Sequence, residues 1–126
     1  IQFYESGVLE TASVYEYAVQ YGGAGGSFGE LRSTGATHII SGGYDSNPLN
    51  THTYYYLYNL GNSSKYSFTT FQTTESWTTS IGFYASFGGG VLPQTSTVDG
   101  VRYSFGNADT FTGNAKLYGV KQLWVT

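Results

Sequence analysis

Apolar and polar residues alternate with period two through much of this chain, which restricts it to β-structure. In Ser13-Val14-Tyr15-Glu16-Tyr17-Ala18-Val19, Val14, Glu16 and Ala18 share one face, and Tyr15, Tyr17 and Val19 share the other. Thr37–Ser41 reads as a short strand, Thr51–Leu60 as a tyrosine-rich one, and Tyr66–Gln72 as its successor. Between the last two, Leu60–Lys65 with Gly61-Asn62 reads as a hairpin turn. Trp77–Phe87 reads as another strand, bent at Gly82 and running into Gly88-Gly89-Gly90. Val101–Phe105 and Leu117–Val125 complete the series. Helix-forming Ala, Leu, Lys, Glu and Gln are sparse, while β-branched and aromatic residues dominate. The expectation is a single all-β domain over residues 1–126, an antiparallel β-prism or β-sandwich of about 8–12 short strands.

Composition narrows the function. Tyrosine (13) and glycine (18) are abundant among the 126 residues, and only 10% are charged. Tyrosine packs an apolar ring while its hydroxyl hydrogen-bonds, and glycine lets a ligand approach the backbone. A net charge of -3 and five scattered cations, Arg32, Lys65, Arg102, Lys116 and Lys121, argue against nucleic acid as a partner. The absence of cysteine removes disulfides, a thiolate nucleophile and zinc–thiolate sites. Low lysine with abundant Ser, Thr, Tyr and Gly points to a secreted, extracellular protein. A start at Ile1 with no Met anywhere suggests removal of an upstream segment. No run reaches the roughly 18 apolar residues of a spanning helix. Asn62-Ser63-Ser64 is a glycosylation triplet in an expected turn, a pattern also common by chance.

Few residues offer acid–base or metal chemistry. His38 and His52 share no metal-ligand spacing, and no G-x-S-x-G elbow is present. Among the carboxylates, Glu16 and Glu75 lie on expected strands and form the candidate pair for a small glycosidase. Tyr58–Asn62 resembles Tyr103–Asn107, each followed by Phe-Thr, as chance produces in so biased a sequence. The sharpest local feature is Gly22-Gly23-Ala24-Gly25-Gly26. No helix signal follows it and no lysine is near, which argues against phosphate cradling. Two readings remain for it. One is a plain hairpin loop; the other is a cradle of backbone amides flanked by Tyr21 and Phe28.

Gly22–Gly26 with Ser27-Phe28, then Thr37-His38-Ile39-Ile40, then a turn and the tyrosine-rich strand, resembles the opening of jacalin-related lectins. The resemblance covers roughly Tyr21–Thr126. It implies a β-prism of three four-stranded sheets that binds sugar through backbone amides and one aspartate. That aspartate sits in a Gly-x-x-x-Asp motif just before the family's last strand. Here Gly106-Asn107-Ala108-Asp109 is one residue short and further from the end. A second resemblance is to aerolysin-like pore-forming modules, carried by the Ser/Thr alternation of Thr73–Gly90.

The resulting expectation is a non-catalytic, lectin-like protein that binds neutral mono- or oligosaccharides. The expected stackers are Tyr21, Tyr44, Trp77 and Tyr103. Expected polar contacts come from Gly22, Gly23, Gly25 and Gly26 amides, Asp45, Asn107 and Asp109. No cofactor and no metal are expected, and a membrane is reached only through its glycans. A homo-oligomer would raise the avidity of weak sites. The rival readings are a pore-forming module, the glycosidase, and a self-assembling structural protein, since Tyr54-Tyr55-Tyr56 puts tyrosine on both faces of one strand.

Overall fold

The alternation becomes two antiparallel sheets in the computed structural model, which describes residues 1–42, 50–76, 82–104 and 112–120. β1 (Gln2–Glu5), β2 (Val8–Leu9) and β8 (Val98–Arg102) form a three-stranded sheet in the order β2-β1-β8. β3 (Tyr15–Gly23), β4 (Phe28–Ala36), β5 (Asn50–Tyr58), β6 (Ser67–Ser76) and β7 (Phe83–Leu92) form a five-stranded sheet in the order β4-β3-β7-β6-β5. There is no helix among the described residues. The chain is all-β, and of the two expected architectures the two sheets are sandwich-like.

Pleating sorts the side chains of the five-stranded sheet onto two faces. β6 buries Ser67, Thr69, Phe71, Thr73 and Glu75 and turns Phe68, Thr70, Gln72 and Thr74 outward. The inner face packs against the smaller sheet through Tyr15, Val19, Phe71 and Leu92, which meet Ile1, Phe3 and Val98. The Phe3 and Tyr15 rings lie 6.2 Å apart, and the Phe3 amide donates to the Tyr15 hydroxyl at 2.9 Å.

Several expectations change: the strand expected over Val101–Phe105 is β8, which begins at Val98 and ends at Arg102, with Tyr103 and Ser104 outside it. Thr37–Ser41 is not a strand; it crosses the inner face as a loop. Ile39 is fully buried there, and a Cβ on Gly90 would stand 2.7 Å from its side chain. Gly88-Gly89-Gly90 therefore does not end a strand but lies within β7, where the missing side chain of Gly90 leaves room for Ile39. Gly88 sits in register between Val19 and Phe71, where a Cβ would stand 2.3 Å from the Ala18 carbonyl oxygen. Finally, Leu117–Val120 is not in a strand, and the rest of that segment lies outside the described residues. The β5–β6 turn is as expected, with Asn59 and Gly61 at positive φ.

Candidate functional site

The outer face of the five-stranded sheet is unusually aromatic for a solvent-facing surface. Its registers give continuous rows across the strands. One row runs Phe28, Gly22, Ala85, Thr74, His52. The next runs Glu30, Gln20, Phe87, Gln72, Tyr54. A third runs Arg32, Ala18, Gly89, Thr70, Tyr56.

Small residues in the first row let large neighbours form walls. Gly22 and Ala85 make a floor, and Phe28, Phe83 and Phe87 rise around it. The result is an open groove of about 860 Å³, with Gln20 and Glu30 also lining it. Phe28 is 84% exposed and Phe87 58%. Glu30 is held by Arg32 at 3.1 Å, both side chains well exposed. Next to the groove, Tyr54 donates to Gln72 Oε1, and the Tyr54 and Tyr56 rings meet edge-on at 5.8 Å.

The glycine stretch serves this groove in a way the sequence reading did not foresee. A Cβ on Gly22 would come within 3.0 Å of the Phe28 ring, and one on Gly23 within 2.8 Å of Tyr84. Across the same hairpin, Gly29 faces Tyr21, whose hydroxyl lies where a Cβ would go. These glycines seat rings on neighbouring strands. The loop's donors are engaged as well. Gly23 N–H donates to Ser27 O at 2.7 Å, Ala24 N–H to Phe83 O at 2.9 Å and Gly26 N–H to Gly23 O at 2.9 Å. The expected amide cradle at Gly23 and Gly26 is thus replaced by hairpin closure, because each of these amides already has a carbonyl partner. Gly25 is exposed, with open space around it.

The other expected site residues are not gathered here. Tyr21 is the exception: it is among the residues that line the groove, although its ring alternates away from Gln20 and Gly22 and lies against Gly29. Tyr103 packs edge-on against Tyr55 at 5.6 Å, on the inner side. Burial of Tyr55, reinforced by the Tyr103 ring beside it, pushes its hydroxyl well above the usual 10. It remains protonated and bonded to the Ser41 hydroxyl. Tyr44, Asp45, Trp77, Asn107 and Asp109 lie outside the described residues. Phe83 and Phe87 were missed as site residues. Their signal was available in the Phe-x-Ala-x-Phe spacing, which places both rings on one face with a small residue between them.

The carboxylate pair separates. Glu16 is exposed on the outer face, whereas Glu75 is 4% exposed on the inner face, in register with Thr51 and Tyr84. A sheet stands between them, so they cannot flank one glycosidic bond. Burial, then the nearby amino terminus, holds the His38 imidazole below its usual range, and Thr37 Oγ1 lies 3.1 Å from its Nδ1. His52 is on the outer face of β5. Among the described residues no group of three His, Asp or Glu side chains could hold a metal. Of the Ser/Thr-rich stretch Thr73–Gly90, residues 73–76 belong to β6 and 83–90 to β7, both central strands paired on both edges. No helix among the described residues is long and apolar enough to cross a membrane. Asn62 is exposed in the β5–β6 turn, where its Oδ1 accepts the Ser64 amide at 3.0 Å.

The chain matches no family model, no curated protein and no solved structure.

Proposed function

We propose that this chain is a non-catalytic glycan-binding module and that its site is the groove between Phe28, Phe83 and Phe87. The carrying observation is three solvent-facing rings around a floor of Gly22 and Ala85. Folding alone gives no reason to leave large rings in water around a groove, because exposed apolar surface is better buried. The apolar C–H face of a sugar covers such rings without requiring a charge. Gln20 donates and accepts hydrogen bonds to hydroxyls at the rim, and the Glu30 carboxylate accepts them. Phe83 and Phe87 are four residues apart on one strand, a span of about 13 Å. That length suits an oligosaccharide better than a single ring. An extracellular setting, where such glycans are met, fits the composition.

Screening on a glycan array, followed by calorimetric titration of the hits, tests the reading. Phe87→Ala and Phe28→Ala are each expected to weaken binding about tenfold, from roughly 1.4 kcal/mol of lost ring burial. Both variants should keep their folding midpoints, because both rings are exposed. Absence of any glycan ligand, or unchanged affinity in both variants, overturns the proposal.

A further inference from the structure

Among the described residues, the two edges of the five-stranded sheet are protected unequally. The β4 edge carries the Glu30–Arg32 ion pair, and its register with β3 is broken by a bulge between Tyr15 and Tyr17. Charges and bulges are the usual means of blocking edge-to-edge pairing. The β5 edge has neither. Its nine residues, Asn50–Tyr58, contain no Asp, Glu, Lys, Arg or Pro and pair with β6 without a register shift. They offer apolar surface on both faces: Tyr55 and Leu57 half-buried on the inner side, Tyr54, Tyr56 and Tyr58 on the outer.

The same chain displays a segment suited to such an edge. Every residue from 112 to 120 is exposed and none is in a strand. Leu117 is 90% exposed and Val120 83%. Open space surrounds Gly119. Extended, this stretch would put Leu117 on one face and Tyr118 with Val120 on the other. Like β5, it presents apolar groups to both sides.

We propose that residues 112–120 of one molecule add as an extra strand to the β5 edge of a second copy of this chain. Main-chain hydrogen bonds supply the affinity, and burial of Leu117, Tyr118 and Val120 against β5 supplies the selectivity. Donor segment and acceptor edge are different surfaces. The contact is therefore heterologous, and it either closes reciprocally into a dimer or extends into longer assemblies.

Light scattering coupled to size exclusion, run on the full chain over a range of concentrations, tests this. The expected result is a mass that rises with concentration and falls to the monomer in the double variant Leu117→Asp/Val120→Asp. Tyr56→Lys on the acceptor edge should have the same effect, since Tyr56 is exposed and its replacement leaves the fold intact. Circular dichroism verifies folding in each variant. Hydrogen exchange should show the amides of residues 50–58 that face away from β6 at least tenfold slower in the assembled wild type than in the double variant. A monomer at every concentration, or protection of those outward-facing amides that persists in the monomer, overturns the proposal. Assembly that survives both variants overturns it as well.

Discussion

The β3–β4 and β5–β6 hairpins are both long antiparallel pairs of one sheet, yet they handle aromatic rings in opposite ways. In β3–β4, rings lie over glycines on the neighbouring strand: Phe28 over Gly22 and Tyr21 over Gly29. In β5–β6, the outer rings lie beside hydroxyl and amide partners, Tyr54 with Gln72 and Tyr58 with Thr70 at 3.2 Å, while on the inner side Tyr55 packs against the Phe71 ring at 6.0 Å. A glycine opposite a ring removes a wall and leaves relief, so the first hairpin borders a groove. A threonine or glutamine opposite a ring fills that space, so the second hairpin presents a flatter surface. Cross-strand pairing, rather than the count of aromatics, determines which surface a hairpin offers.

The largest expected effect contrasts a buried ring of the second hairpin with an exposed one of the first. Phe71, 4% exposed, faces the inner core. Phe71→Ala should destabilise by about 3–5 kcal/mol through the lost burial and the cavity left behind. Phe28→Ala should change stability by roughly 0.5 kcal/mol or less. Denaturant unfolding of the pair measures both, and comparable losses would abolish the distinction between the hairpins. A middle-sized effect tests the glycine seats. Gly29→Ala should displace the Tyr21 ring and cost about 1–3 kcal/mol as overpacking. Gly25→Ala, with open space around it, should lie within roughly 0.5 kcal/mol of wild type. If both alanines are equally tolerated, the glycines are not seats.

The smallest effect concerns Tyr55. Tyr55→Phe removes its bond to Ser41 and should cost about 1 kcal/mol. Because burial raises the hydroxyl above its ordinary 10, the neutral form is the one folding favours. That contribution is fully present below about pH 10 and is lost as pH rises further into the alkaline range. Thermal melts between pH 8 and pH 11 should therefore show the wild type losing stability more steeply than Tyr55→Phe at the upper end. Parallel profiles would show that Tyr55 is not the group responsible.

Legibility in the sequence followed how local each signal was. Thr51–Leu60 and Tyr66–Gln72 announce themselves, because period-two alternation and an Asn/Gly turn act over a few residues. β4 is weaker, since Gly29, Gly35 and Ala36 dilute its pattern and β3 supplies the pairing that holds it. The apolar Ile39-Ile40 pair looks like strand but serves as a plug, with Ile39 covering the gap over Gly90. The candidate site was partly visible: the Gly22–Phe28 stretch does border the groove, though through ring seats and not free amides.

Composition and alternation alone determined that this chain is all-β and antiparallel, because side-chain period and turn chemistry are set by immediate neighbours. Which residues share a face across strands, and hence that Phe28, Phe83 and Phe87 converge while Glu16 and Glu75 part, was decided only by the tertiary structure. Register between strands distant in sequence arises from the fit of the whole core. A shift of one residue would send every side chain to the opposite face.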